Sequence, residues 1–191
     1  MKDFYSENYK LYHERTFSID PSLFLEPFIK VLPKGAYILD VGCGSGRDLL
    51  WLKERGFKVL GFERSKGLAE LARKNSGCEV IEGDFETFDF SALSFDAVLA
   101  SGSLVHIPHE KFAAIFQNIT KCMSSAIIYI SLKEGTGLKT DDEGRTFYLW
   151  SDEELRRLFA KDGFNVIDLS RSESAVNSKD VWLGYVLKKS V

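Results

Sequence analysis

The feature that most constrains this chain is the run Ala36–Asp48, AYILDVGCGSGRD, in which an apolar segment passes directly into a turn with glycines at the alternate positions 42, 44 and 46. A short apolar run with turn signals on both sides suits a buried strand of a parallel sheet. The glycines remove side chains where backbone must come close to a ligand. The helix expected after them offers unpaired N–H groups at its start, which suit a polar or anionic ligand group. Asp40, at the end of the strand, directs a carboxylate into the same space, and an acceptor there calls for a cation or a hydrogen-bond donor.

The rest of the chain repeats strand and helix in alternation. Tyr5, Tyr9 and Tyr12 keep helical spacing in an N-terminal segment. Asp20–Pro21 reads as a helix start, and Leu23, Phe24, Phe28, Ile29 and Leu32 continue it until Pro33–Lys34–Gly35. Strands are expected at 36–41, 58–63, 79–82, 96–101 and 126–132. Helices are expected after the glycine turn, after the cap at Ser65, and from Pro108 through Ile119. This alternation predicts a parallel sheet covered on both faces, an α/β doubly wound fold. The end differs: Ser151 and Glu154 form a capping-box signature for a helix closed by Gly163, and two strands, 164–169 and 181–187, follow with no helix between them. Such a pair forms a hairpin, so one of its strands runs antiparallel to the rest.

The stretch from Ile38 to Gly46 resembles motif I of the class I S-adenosylmethionine (SAM) dependent methyltransferases, two hydrophobic residues, Asp, a hydrophobic residue and then Gly-x-Gly-x-Gly. A dinucleotide fingerprint spaces its glycines differently, G-x-G-x-x-G. Here Arg47 stands where its third glycine belongs, and the acid precedes the first glycine. The resemblance implies a seven-stranded, Rossmann-like sheet in the order 3-2-1-4-5-7-6 with strand 7 antiparallel, SAM as cofactor and S-adenosylhomocysteine (SAH) as product. It also assigns the strand ends. Asp40, Gly42, Cys43, Gly44 and Gly46 border the methionine part, Glu63 accepts from the ribose hydroxyls, and Asp84 with Phe85 meets the adenine. Arg64, where the family often has an apolar residue, could stack on that ring. Ser101 lies alongside the methionine moiety.

Composition limits the acceptor. With 191 residues, 45% hydrophobic and 28% charged, the chain reads as one globular domain. The net charge of -3 provides no basic field for nucleic acid, so a small-molecule acceptor is expected and nucleic acid is not. Cys43, Cys78 and Cys122 are odd in number and scattered, which argues against disulfides and zinc and fits the cytoplasm. No apolar run reaches the ~20 residues of a membrane span, so no membrane partner is expected.

Methyl transfer from a sulfonium is an in-line displacement, and a base is needed only for a protonated acceptor. His106, just beyond strand 4, is the candidate base. His109 is expected at the surface, and His13 is left without a role. After strand 4, Ser101–Gly102–Ser103–Leu104 lacks the Asp/Asn-Pro-Pro-Tyr/Phe of amino-methyltransferases acting on adenine or glutamine, and no cysteine there suits cytosine C5 chemistry. Two segments are expected to cover the site: residues 1–35, with Tyr9, Tyr12 and Arg15 facing the pocket, and 133–150, with Glu134, Arg145 and Tyr148 offered to the acceptor. Residues 36–132 would form the cofactor core and 151–191 the closing helix and hairpin. A non-catalytic SAM or SAH binder and an NAD-dependent oxidoreductase are the competing readings.

Overall fold

A computed structural model describes residues 4–176 and 179–189. Helices α1 (Phe4–Glu7), α2 (Tyr9–Thr16) and α3 (Ser22–Lys30) lead into β1 (Tyr37–Val41), α4 (Arg47–Glu54), β2 (Lys58–Glu63), α5 (Lys66–Ser76) and β3 (Val80–Glu82). Then come β4 (Phe95–Ser101), α6 (His109–Thr120), β5 (Met123–Lys133), β6 (Leu138–Thr140), β7 (Thr146–Tyr148), α7 (Asp152–Lys161), β8 (Phe164–Glu173) and β9 (Val181–Lys189). Seven strands form one sheet in the order β3-β2-β1-β4-β5-β9-β8. Strands β1 to β5 pair in parallel, and β9 runs antiparallel to both β5 and β8. In sheet-strand counting this is the expected 3-2-1-4-5-7-6, with the last strand reversed.

Alternation along the strands builds two cores. Leu39, Val41, Val98 and Ala100 face α6 and α7, where Phe112, Phe116, Leu155 and Phe159 are fully buried. Ile38, Ala97 and Leu99 face the opposite way, onto Leu25, Phe28, Trp51 and Leu52 of α3 and α4. A period of two on strands meets a period of 3.6 on helices, so each face of the sheet is covered.

The local signals act as their chemistry predicts. Ser65 caps α5 by accepting from the Leu68 amide. Ser151 and Glu154 complete a reciprocal capping box on α7. At α3 the start moves by one residue: the Asp20 carboxylate accepts from the Ser22 amide at 2.9 Å, and Pro21 is the cap. The segment 133–150, expected as a loop, contains the small antiparallel hairpin β6–β7, in which Leu138 pairs with Tyr148 and Thr140 with Thr146. Its aromatic end is pinned, since Phe147 and Trp150 are buried in the main core.

The glycine turn is wedged between two neighbours. A Cβ on Gly42 would lie 2.4 Å from Cβ of Ser103, and one on Gly46 would lie 2.8 Å from the Cα of Ala72 in α5. Both glycines also have positive φ, +75° and +87°. Gly46→Ala therefore combines a disfavoured backbone conformation with a clash against backbone that cannot swing away. We expect a loss of about 2–4 kcal/mol in denaturant unfolding with the slope unchanged. A loss below about 0.5 kcal/mol would show that α5 does not bear on the turn.

Candidate active site

The site is assembled at the carboxyl ends of β1, β2 and β4, where a doubly wound sheet leaves a crevice. Its centre is the turn after β1. Asp40 is buried, and its Oδ2 has no hydrogen-bond partner among the described residues. Burial pushes its carboxyl well above the ordinary aspartate range, and nearby Asp48 adds to this. A buried carboxylate oxygen without a donor costs stability and favours a cationic or N–H-bearing ligand group. Asp40 and the glycine cradle therefore fit the methionine end of SAM, whose ammonium supplies such a donor.

Glu63 closes the turn from the side. Its carboxylate accepts from the amides of Gly44, at 2.9 Å, and Ser65, at 2.8 Å. Burial raises its carboxyl, and the amides of Ser65, Gly44 and Arg64 oppose that rise by stabilising the anion. The residue thus holds the loop and also presents a carboxylate at the end of β2. Asp84 caps its own turn by accepting from the Glu86 amide at 2.9 Å, and Arg64 lies 3.7 Å from the other Asp84 oxygen. Phe85 is half-buried against the main core. Cys43 is buried and its sulfur fits the space above Gly61, where a Cβ would lie 2.8 Å away. Burial lifts its thiol well above the ordinary range, so it remains a packing thiol.

Beside the turn lies a cavity of about 290 Å³. Gly42, Gly44, Ser101 and Gly102 form its floor, and Tyr12 covers Gly44. Its walls include Phe24, Arg47, Asp48, Tyr129, Ser131 and Trp182, and its rim follows the end of β8 through Ser172 and Glu173 to Val176 beyond it. Arg47 is spent on Asp48 through two bonds, of 2.6 and 2.9 Å. Ser131 accepts from the Gly102 amide at 2.9 Å and so ties β5 to the loop after β4. Sequence reasoning missed Asp48, Tyr129, Ser131 and Trp182 as site residues. Tyr129 and Ser131 did carry a signal, because they are polar groups two apart in an otherwise apolar strand and therefore share one face.

The two covering segments differ in detail from expectation. Tyr12 reaches the cavity, but Tyr9 does not: its ring packs on Gly67, where a Cβ would lie 2.6 Å from it. Arg15 pairs with Glu143 at the exposed edge of the hairpin. Glu134 pairs with Arg171, Arg145 with Asp141 and Glu143, and Tyr148 meets the edge of the His109 ring. Each is occupied by protein, and none lines the cavity. His109 is half-buried rather than at the surface: Nε2 lies 2.9 Å from the Leu149 carbonyl and the ring abuts Trp150. His13 bonds Ser45 at 3.0 Å, which fastens α2 to the glycine turn. His106 also lies outside the cavity lining, with partners on both ring nitrogens: Tyr5 at 2.7 Å and the Thr146 carbonyl at 2.6 Å.

Comparison with known proteins agrees with this geometry. Residues 38–125 match the family described as "Methyltransferase domain". The Burkholderia thailandensis 1,6-didemethyltoxoflavin-N1-methyltransferase, solved with its acceptor and SAH, superimposes with a TM-score of 0.77 at 20% identity, covering 98% of this chain and 84% of that one. A tRNA (carboxymethyluridine(34)-5-O)-methyltransferase of Xenopus tropicalis is 31% identical over 107 residues, 54% of this chain and 17% of that protein. A tRNA (uracil(54)-C(5))-methyltransferase of Pyrococcus horikoshii is 27% identical over 111 residues, 56% of this chain and 26% of that protein. The chain thus spans about a quarter or less of the length of these two relatives. Over residues 38–125 the chain thus matches a methyltransferase domain, and its fold is that of a methyltransferase solved with SAH bound. Among the described residues no helix is long and apolar enough to cross a membrane.

Asp40 makes the stability of the free protein depend on pH. Its folded pKa lies above the unfolded value of about 3.9, so the folded state holds the proton more tightly and stability falls as pH rises through that interval. Asp40→Asn should flatten this fall and raise the unfolding midpoint at neutral pH. A midpoint that drops equally at every pH would place the carboxylate's role in folding instead.

Proposed function

We propose that this protein transfers the methyl group of SAM to a small-molecule acceptor and releases SAH. The observation that carries this reading is the cavity that opens at Gly42 and Gly44, at the carboxyl end of β1, and continues between Tyr12, Tyr129 and Trp182. It provides a volume suited to a small organic molecule beside the turn that fits the methyl donor. In this reading Asp40 and the backbone of Gly42, Cys43, Gly44 and Gly46 hold the methionine end, with Ser101 beside it. Glu63 accepts from the ribose hydroxyls, and Arg64, Asp84 and Phe85 flank the adenine. The bound sulfonium supplies an activated methyl carbon. The chain's own contribution is to align the acceptor, exclude water and take up a proton where the acceptor carries one.

Charge supports a small molecule over RNA. Asp20, Asp48 and Glu173 border the cavity, whereas the one basic residue lining it among the described residues, Arg47, is paired with Asp48. An acidic mouth on a chain of net charge -3 opposes a phosphate backbone. The two tRNA-modifying relatives make RNA the reading to test against. Incubation with methyl-labelled SAM and either a metabolite extract or total tRNA separates the two: label entering small molecules supports the proposal, and label entering only tRNA contradicts it. Tight SAH binding with no label leaving SAM in either mixture would favour a non-catalytic binder.

Glu63→Gln tests the donor site. Loss of a charge-assisted pair of bonds, about 1.5–3 kcal/mol, should weaken SAH binding about tenfold to a hundredfold by calorimetry. Unchanged affinity would show that this carboxylate serves the glycine loop alone.

A further inference from the structure

Two apolar side chains stand open to solvent at the mouth of the cavity. Leu23 of α3 is 80% exposed and Val176, just beyond β8, is 55% exposed, and both line the cavity. A single exposed apolar residue carries no meaning. Here two segments far apart in the chain bring theirs to one opening, and Ile19 and Ala175 extend the apolar surface on each segment. The packing of α3 does not require a leucine at 23. Its buried contacts come from Leu25 and Phe28, and a residue two places before Leu25 is turned to the other side of the helix. Val176 is held in place by its turn, which closes where the Asp180 carbonyl accepts from the Ser174 amide at 2.8 Å.

The inner end of the cavity is polar. Ser101 of β4 is level with Ser131 of β5, Ser131 with Gly184 of β9, and Gly184 with Ser170 of β8, and all four line the cavity. Gly184 makes the room, since a Cβ there would lie 2.6 Å from the hydroxyl oxygens of both Ser170 and Tyr129. The Ser131 oxygen accepts from the Gly102 amide, and the Ser131 hydroxyl is bonded to the buried Tyr129 phenol. Burial pushes that phenol above its ordinary range, so it keeps its proton. Two hydroxyls that share one bond bring two hydrogens, and the second finds no acceptor among the described residues. It is available to a lone pair on a ligand. Ser131 stands one strand spacing, about 4.8 Å, from Ser101, which the proposed function sets beside the methionine end of SAM.

Between these ends the walls are aromatic, from Tyr12, Phe24 and Trp182. Asp20 and Glu173 border the opening, and Arg47 is engaged by Asp48. A carboxylate or phosphate on the ligand would therefore meet repulsion with no cation to answer it.

We propose that the methyl acceptor is an amphipathic molecule without negative charge, whose polar head lies at Tyr129 and Ser131 and whose apolar tail leaves between Leu23 and Val176. This rests on the methyltransferase reading. The head accepts the hydrogen that the hydroxyl pair leaves unspent. The tail covers two side chains that water otherwise surrounds.

Calorimetry on SAH-loaded protein at neutral pH tests this, with 4-ethyl-, 4-butyl- and 4-hexylphenol as neutral probes and 4-butylbenzoate as an anion with the same tail. Affinity should rise about two- to fourfold for each added methylene. The benzoate should bind at least about tenfold more weakly than 4-butylphenol. Leu23 and Val176 are exposed, so the double variant Leu23→Ser/Val176→Ser leaves the core intact. It should bind 4-ethylphenol within about twofold of the parent and lose most of the gain per methylene. The proposal is overturned if no phenol binds, if the series is flat, if the double variant keeps the parent's slope, or if the benzoate binds as well as the phenol. Light scattering adds a further check: a parent dimer that the double variant turns into a monomer puts a second copy on the mouth and likewise overturns it. A parent that binds no SAH rejects the methyltransferase reading instead, and the same series without SAH then still decides what the mouth holds.

Discussion

The structure depends on how tightly one turn is held. Gly42 leaves no room between β1 and Ser103, Gly46 leaves none between the turn and Ala72, and the Gly44 amide is tied to Glu63. Close packing of this kind resists displacement, because protein interiors have little free volume to give. The contacts come from three separate parts of the chain: the loop after β4, helix α5 and the end of β2. The end of β2 also carries Glu63 and the loop after β4 continues from Ser101, so the packing that fixes the turn also sets the spacing of Asp40, Glu63 and Ser101. Two of the three glycines are therefore required by neighbouring protein as much as by a ligand.

That rigidity holds charges in an arrangement that is costly without a ligand. Asp40, Asp48 and Glu63 are buried close together, and Arg47 is committed to Asp48. Asp40 keeps an oxygen without a donor among the described residues. Polar groups that fold without full satisfaction concentrate at binding sites, where a ligand completes them. The far wall of the cavity, by contrast, carries the neutral side chains of Tyr129, Ser131, Ser172 and Trp182 from β5, β8 and β9, elements outside the glycine turn. In the proposed function, donor recognition and acceptor recognition thus lie on different parts of the fold.

Most of the sheet was legible in the sequence, because strands such as Lys58–Glu63 are short apolar runs with turn residues at both ends and their order follows from the alternation with helices. The reversed last strand followed from the missing helix between residues 169 and 181. The places of Asp40 and Glu63 were legible for a related reason: a strand end has a fixed place in this fold, so an acid there is located once its strand is. The covering segments were legible only as elements. Helical spacing put Tyr5, Tyr9 and Tyr12 on one face, but it could not say that Tyr9 would rest on Gly67 while Tyr5 met His106. Nor could it show Arg15, Glu134 and Arg145 being taken up by nearby opposite charges. Such choices depend on contacts between residues far apart in the chain, and residue spacing carries no record of them.

The N-terminal helices and the β6–β7 hairpin meet over the site rather than acting separately. Tyr5, His106 and Thr146 form one hydrogen-bonded line, Arg145 sits over the Phe4 ring at 4.5 Å, and Arg15 pairs with Glu143. A ligand entering beneath one segment must disturb the other. The most direct measurement of the whole account is a crystal structure with SAH bound. It should place the ribose hydroxyls on Glu63, the amino group near Asp40 and the sulfur beside the cavity under Tyr12. SAH lying away from the Gly42–Gly46 turn, or with its sulfur directed away from that cavity, would contradict it.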